Sequence, residues 1–211
     1  MGYSIWMSNW YDFLLQFLER PYLHARRARL LNQLSGSILE VGVGTGVNLE
    51  HYTEAVQLIG VEPSSGMLEQ AQKKRKKSPA AASIQLHQVG IEDPLLDSLI
   101  PPHSLDYVVC TLVLCTVPDP SAALVQFQKW LKPDGKLLIL EHLCSTHPGT
   151  DRFQDRINPL WKSVAGGCNL NRKTDELILS LGYQQISYDP FSAGLRFVEA
   201  VYQNRTTEKG A

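Results

Sequence analysis

The sequence has 211 residues, of which 44% are hydrophobic and 19% are charged. This length suffices for one well-buried core and is short for two domains. Twenty basic against twenty-one acidic residues give a net charge of −1, so no overall positive field favours a nucleic-acid partner. The four cysteines, at positions 110, 115, 144 and 168, show no paired metal-ligand spacing. We therefore expect reduced thiols in a cytoplasmic protein, with no metal site and no nucleic acid among its partners.

Residues 1–35 are predicted to form an N-terminal helical cap, broken at Pro21. Apolar residues recur at helical spacing up to Leu18, but polar residues interrupt them and no signal-peptide pattern is present. About 20 mostly apolar residues would be needed to cross a bilayer. Packing over the core or the active site is the favoured role. Weak contact of residues 1–20 with a membrane surface is the alternative, because two tryptophans and Arg26, Arg27 and Arg29 suit such an interface.

Residues 36–204 alternate between predicted strands and helices and form one predicted domain. The strands are predicted at 37–41, 56–61, 84–89, 105–110, 136–141, 183–188 and 196–203, and helices at 67–77, 121–131 and 174–181. Thr174 is a suitable N-cap for the last helix, and Lys132-Pro-Asp-Gly135 is a turn signal. The polar chain from Asn204 is expected to fray, with 205–211 as a tail. Such alternation predicts a doubly wound α/β sheet that binds its ligand beyond the carboxyl ends of the strands.

The strongest motif is Glu40-Val-Gly42-Val-Gly44-Thr-Gly46-Val-Asn48, directly after the first strand and before a predicted helix. Glycines there let the backbone turn sharply and approach a ligand closely. The dinucleotide fingerprint would place its third glycine at position 47, which is Val. The motif therefore favours a nucleotide-like ligand and argues against a nicotinamide oxidoreductase.

An acidic residue after the second strand strengthens this interpretation. Glu62 follows Gly42 by 20 residues, and a carboxylate there can accept both ribose hydroxyls of an adenosine. The segment from Pro63 to Met67 is expected to turn and start a helix over the ligand. After the third strand, the backbone and acids of Gly90-Ile-Glu92-Asp93 are placed to contact an adenine edge.

These strings resemble the class I S-adenosylmethionine (SAM) dependent methyltransferases, and residues 38–145 are similar to the branch of the ubiquinone/menaquinone C-methyltransferases. The resemblance implies a Rossmann-like seven-stranded sheet of order 3-2-1-4-5-7-6 with the last strand antiparallel. It implies SAM as cofactor, with Glu40 and the glycines beside the methionyl part and Glu62 on the ribose. Relatives often carry an acid where this chain has Gly90, so Glu92 or a carbonyl is expected to take the adenine contact. The remaining predicted cofactor contacts are Tyr11, Asn48, Pro63, Met67, Ile91, Thr111 and Leu112.

A narrower likeness points to the acceptor. The strings 108–117, Glu141-His142 and 159–174, which includes Gly167-Cys-Asn-Leu-Asn-Arg172, are similar to the alkyl-thiol methyltransferases of the methyltransferase-like group. Those relatives begin with a hydrophobic membrane anchor, of which the N-terminal residues here show no equivalent. The resemblance therefore implies thiol chemistry without membrane residence.

His142 is the candidate catalytic residue, because it ends the fifth strand and could serve as a base at neutral pH. A purely structural histidine, bonded to a loop carbonyl, is the alternative. Trp161 is assigned to the core or the substrate wall, and Cys168 is interpreted as structural because methyl transfer needs no covalent enzyme intermediate.

The predicted function is methyl transfer from SAM to a small acceptor, preferentially a thiol, by in-line displacement without metal. A phospholipid amine and the carbon of a quinone precursor are the alternative acceptors. A SAM-binding protein without catalysis is the alternative from another class.

Overall fold

The structure of the protein, a computed structural model, describes residues 22–205. The predicted contact Tyr11 and most of the predicted N-terminal cap lie outside these residues. The strands are β1 Gly36–Val41, β2 Val56–Val61, β3 Ile84–His87, β4 Leu105–Thr111, β5 Leu131–Leu143, β6 Gln184–Ser192 and β7 Arg196–Gln203. The helices are α1 His24–Leu31, α2 Ser65–Arg75, α3 Leu95–Leu99, α4 Pro120–Trp130, α5 Pro148–Val164 and α6 Thr174–Ser180.

The seven strands form one sheet in the order β3-β2-β1-β4-β5-β7-β6. Strands β1 to β5 pair in parallel. Strand β7 runs antiparallel to both of its neighbours and forms a hairpin with β6. The predicted fold class is therefore confirmed.

Both faces of the sheet are covered by apolar side chains, as a doubly wound sheet requires. One cluster lies under α4 and contains Phe127 and Trp130, while the other lies under α1 and contains Leu31 and Tyr52. These large side chains are almost fully buried. The central strands β1 and β4 supply residues to both clusters, which explains their continuous apolar runs.

Arginines hold α1 against the hairpin. Arg26 donates to Asp189 at 2.6 Å, and Arg29 donates to Glu199 at 2.7 Å. The Arg26 guanidinium also lies 3.8 Å from the ring centroid of Phe191. Two of the arginines considered for a membrane surface thus have partners within the fold, while membrane contact through residues 1–20 stays a prediction. Between residues 22 and 205, no helix is long and apolar enough to cross a membrane.

Three local predictions were wrong. The chain after the glycine motif forms turns and a short 3₁₀ helix, Leu49–His51, instead of an α-helix, because it must reach the start of β2 at Val56 within ten residues of Gly46. Thr174 is the first residue of α6 and not its N-cap, and its hydroxyl makes no hydrogen bond within the described residues. The chain does not fray at Asn204, which is buried and held by a hydrogen bond from its side chain to the carbonyl of Lys132 at 3.2 Å.

Two other elements differ in extent from the predictions. Strand β5 begins at Leu131, and its pairing with β4 shifts across the predicted turn at 132–135, which forms an irregularity within the strand. Helix α5 occupies a segment for which the sequence analysis predicted no helix. Only Gln154 of this helix is buried, so the helix has no buried apolar face from which its sequence would predict it.

Candidate active site

The carboxyl ends of the central strands lie side by side. Val41 of β1 pairs with Val61 of β2 and with Cys110 of β4, and Val61 pairs with His87 of β3. The residues that follow these strands therefore meet at one edge of the sheet. This edge receives the glycine turn, Glu62, the 88–93 loop and Thr111, as predicted for a ligand site in this fold class.

The glycine turn depends on backbone conformations that L side chains rarely adopt. Gly42, Gly44 and Gly46 have φ angles of 65°, 58° and 78°. A Cβ on Gly42 would overlap the side chain of Val113, and one on Gly46 would lie 2.9 Å from the Cα of Ala71. Around Gly44 the closest atom to such a Cβ is the Gly42 carbonyl at 3.9 Å. Gly42 and Gly46 thus allow neighbouring residues to pack closely against the turn, while Gly44 borders open space that a ligand can enter.

Glu62 links the glycine turn to the start of α2. Its carboxylate accepts the N–H of Gly44 at 3.0 Å and that of Ser64 at 2.8 Å. Burial raises the pKa of Glu62, although the two backbone hydrogen bonds act in the opposite direction. Ser64 caps α2 through the N–H of Met67 at 3.4 Å. The predicted ribose acceptor, Glu62, therefore also shapes the loop that approaches the ligand.

The loop after β3 contains the residues predicted to border the adenine. Ile91 and Glu92 line a cleft of about 400 Å³ whose other walls come from α3, from the loop before α4 and from α4 as far as Trp130. The carboxylate of Glu92 folds over Gly90, where its oxygens lie 2.8 and 2.9 Å from the position that a Cβ would take. The Glu92 carboxylate thus lies beside residue 90, and its contact with an adenine stays a prediction.

A buried polar network supports the turn from behind. Asn48 donates to Glu40 at 2.9 Å and to the hydroxyl of Thr111 at 3.0 Å. Arg27 of α1 donates to Asn48 at 2.7 Å and to Thr111 at 2.8 Å. Burial raises the pKa of Glu40 to about 7, against the lowering effect of the Asn48 hydrogen bond. Arg27 was not among the predicted site residues, because a buried role cannot be distinguished from a surface one within the arginine-rich segment.

The chain leaves β4 through a constrained turn. Leu112 has a φ of 57°, which is unusual for a bulky residue, and its N–H donates to the carbonyl of Leu140 at 2.9 Å. The next two N–H groups, of Val113 and Leu114, both donate to Glu141 at 2.8 Å. Burial raises the pKa of Glu141 to about 7. This turn packs against the glycine turn through Val113 and leads into Cys115.

Three side chains with nitrogen or sulfur donors converge behind this turn. Cys115, His142 and Cys168 place one donor atom each within 4.8 Å of one another. Nε2 of His142 lies 2.9 Å from Sγ of Cys168. The hydrogen bond from Cys115 and the nearby His142 lower the pKa of Cys168 to about 4. Burial acts to lower the pKa of His142, but the contact with Cys168 outweighs it, so the pKa of His142 is raised.

Side chains of the loop that contains Cys168 donate hydrogen bonds to main-chain carbonyls of the loop that contains Cys115. Asn169 donates its side-chain amide to the carbonyl of Cys115 at 2.8 Å. Arg172 donates to the carbonyl of Val117 at 2.7 Å. Trp161 packs against the two cysteines. The sequence placed His142 at this edge but gave no sign of its neighbours, which come from loops far apart in the chain.

Comparison with known proteins agrees with this geometry. The Methyltransferase domain family matches residues 39–139. Thiol S-methyltransferase TMT1B of Mus musculus is 30% identical over 176 residues, which cover 77% of this chain and 70% of that protein. Phosphatidylethanolamine N-methyltransferase of Cereibacter sphaeroides is 30% identical over 133 residues, which cover 63% of each chain. The structure of YcgJ from Bacillus subtilis has a TM-score of 0.67 at 17% identity and covers 88% of this chain and 97% of that one.

The fold, the cofactor edge and these matches define a class I SAM-dependent methyltransferase, and the chain belongs to that family. Its cofactor is SAM. Within the family it is similar, over 77% of its length, to the thiol S-methyltransferase of the mouse. The predicted class, fold and cofactor are thereby confirmed, whereas the role of each contact residue stays a prediction.

Proposed function

We propose that the protein transfers the methyl group of SAM to the sulfur of a small thiol. The observation that carries this proposal is the position of Cys115, His142 and Cys168. They lie behind the β4 turn, which packs on the glycine turn of the cofactor site. The imidazole of this group can take up the proton that an acceptor thiol loses when it becomes the thiolate. The likeness to a thiol S-methyltransferase supports the same choice.

Methyl transfer from a sulfonium is an in-line displacement, so alignment of the acceptor sulfur, the methyl carbon and the leaving sulfur dominates the catalysis. The glycine turn and Glu62 are proposed to fix the cofactor, and Glu92 to border its adenine. A thiol with a pKa near 8.5 needs only modest help to become the nucleophilic thiolate. Because Nε2 of His142 is engaged with Cys168, His142 acts as a member of this group and not as an isolated base.

The rival acceptor is an amine, since a phosphatidylethanolamine N-methyltransferase is also among the relatives. To separate the two, the full chain is incubated with SAM and, in separate reactions, an alkyl thiol, a primary amine and a phenol. Formation of S-adenosylhomocysteine and of the methylated acceptor is followed. We expect turnover with the thiol and an S-methyl product.

Turnover restricted to the amine or the phenol would overturn the thiol assignment. Binding of SAM without turnover of any acceptor would instead favour the non-catalytic alternative. Glu69→Ala on α2 is a matched control for Glu62→Ala, because the Glu69 side chain is exposed and accepts from Lys73 of its own helix. The control should keep the rate of the parent, whereas Glu62→Ala should lose most of it.

A further inference from the structure

The cluster of Cys115, His142 and Cys168 has the composition of a metal site. Two thiol sulfurs and one imidazole are donors that Zn²⁺ and other soft cations prefer. All three residues are buried, with 0%, 6% and 3% of their surface exposed. They are supplied by three separate parts of the chain, the loop after β4, the end of β5 and the loop before α6.

The donor atoms lie close to the spacing that a small cation requires. Tetrahedral zinc with Zn–S of about 2.3 Å and Zn–N of about 2.0–2.1 Å places its ligand atoms roughly 3.5–3.8 Å apart. Here the His142–Cys168 pair lies at 2.9 Å, and no pair in the cluster exceeds 4.8 Å. Side-chain rotations that move each donor atom by less than about 1 Å would therefore bring all three atoms to bonding distance from one cation.

The surroundings of the cluster keep the three donors in place. Asn169, next to Cys168, holds the Cys115 carbonyl through both its main-chain N–H at 3.0 Å and its side-chain amide at 2.8 Å. Glu141, next to His142, holds the two residues that precede Cys115. Ligands supported by such hydrogen bonds are pre-oriented, which is the usual arrangement around protein metal sites.

We propose that Cys115, His142 and Cys168 bind Zn²⁺ or a similarly soft divalent cation, with a fourth position left for an exogenous ligand. Binding would release the proton of the Cys115 thiol and any proton shared between His142 and Cys168, so that two thiolates and a neutral imidazole hold the cation. Three protein ligands and one open position is the arrangement of catalytic zinc sites. The sequence led us to expect no metal, because ligands from three distant segments leave no spacing pattern.

The fourth position suits the sulfur of the acceptor, an extension that rests on the proposed function. A thiol that coordinates a cation loses its proton outright. The released proton goes to solvent, the S–C bond then forms as the methyl–sulfonium bond of SAM breaks, and the cation keeps its charge throughout. The cluster would thus replace a general base by holding the acceptor as thiolate.

Metal binding is tested on the full chain by removing metal with a chelator and titrating with Zn²⁺ or, as a spectroscopic probe, Co²⁺. We expect one equivalent per chain and the intense near-ultraviolet absorption of thiolate-bound Co²⁺. Cys115→Ser and Cys168→Ser should each weaken Zn²⁺ binding by roughly 100-fold or more. Cys144→Ser is the matched control, since Cys144 is buried too but lies outside the cluster, and it should bind as the parent does.

SAM binding, measured by calorimetry, shows whether each variant is folded, and the two serine variants lie on different loops. Equal Zn²⁺ affinity in the parent, Cys115→Ser and Cys168→Ser, or a Co²⁺ spectrum without thiolate absorption, would overturn the proposal. Zn²⁺ binding without thiol methylation would contradict the proposed function and leave the metal site intact. Equal thiol methylation by metal-free protein would contradict the role of the cation and leave the proposed function intact.

Discussion

At the scale of single residues, the site contains carboxyl groups whose environments make them hard to ionise. Glu40 is fully buried and bonded to Asn48, and burial raises its pKa to about 7. In the unfolded chain the same group titrates near 4.5. Between these two values the folded protein holds a proton that the unfolded chain has released. The stability of the parent therefore falls as the pH rises through this window.

Glu40→Gln should remove this pH dependence, because the amide oxygen can still accept from Asn48 but has no proton to lose. The stability of the variant relative to the parent should rise by about 2–3 kcal/mol from pH 5 to pH 8. Urea unfolding at several pH values measures the difference. Glu69→Gln is the control, and a Glu40→Gln difference that does not change with pH would contradict the assignment.

The sequence allowed some single-residue roles to be predicted and hid others. The position of Glu62 beside the glycine turn was predictable, because one connection and one strand separate it from Gly42. Arg27, Glu141 and Cys115 could not, since their roles depend on which distant residues face them. Thr111 was placed at the correct strand end, but its hydroxyl accepts from Arg27 and Asn48 and so belongs to the support of the site.

At the scale of elements, the glycine turn separates packing from ligand approach. Gly46→Ala combines left-handed backbone with a contact to Ala71 at 2.9 Å, and should cost about 2–5 kcal/mol of stability. Gly44→Ala meets open space and should cost only about 1–2 kcal/mol. Its methyl group would occupy the space proposed for the cofactor. Gly44→Ala should therefore bind SAM more weakly, and by more than its small loss of stability explains.

Thermal unfolding and SAM calorimetry on both glycine variants measure the two effects. If Gly44→Ala binds SAM as tightly as the parent does, the open space beside Gly44 is not the cofactor site. If Gly46→Ala is as stable as the parent, close packing against α2 is not the reason for a glycine at position 46.

The attachment of α1 to the sheet depends on the buried Arg27. Arg27→Met should lower the free energy of unfolding by about 3–5 kcal/mol, because it leaves buried polar partners at Asn48 and Thr111 without their charged donor. Arg29→Met removes a half-exposed guanidinium from the same helix and should cost about 1 kcal/mol or less. Equal losses of stability in the two variants, measured by urea unfolding, would show that the Arg27 network is not essential.

At the scale of the whole molecule, the succession of strands and helices along the chain was predictable, because hydrophobic periodicity and turn residues are local properties. The edge of the sheet that receives the glycine turn followed from this succession. The sheet order came from family resemblance and not from the pattern itself. Helix α5 was missed since it lies largely on the surface, and the 3₁₀ turn was missed since glycine motifs of this kind usually precede an α-helix. The convergence of Cys115, His142 and Cys168 is a product of the fold and has no signature in the sequence.

The central claim is that a SAM site is built from the glycine turn and Glu62. Calorimetric titration of the full chain with SAM, S-adenosylhomocysteine and NAD tests it most directly. We predict binding of the first two and none of NAD, and an affinity for SAM that falls by roughly 10- to 100-fold in Glu62→Ala, since hydrogen bonds to a charged group are each worth about 1.5–3 kcal/mol. Glu69→Ala should bind as the parent does. Failure of the parent to bind SAM and S-adenosylhomocysteine, or unchanged affinity in Glu62→Ala, would contradict the claim.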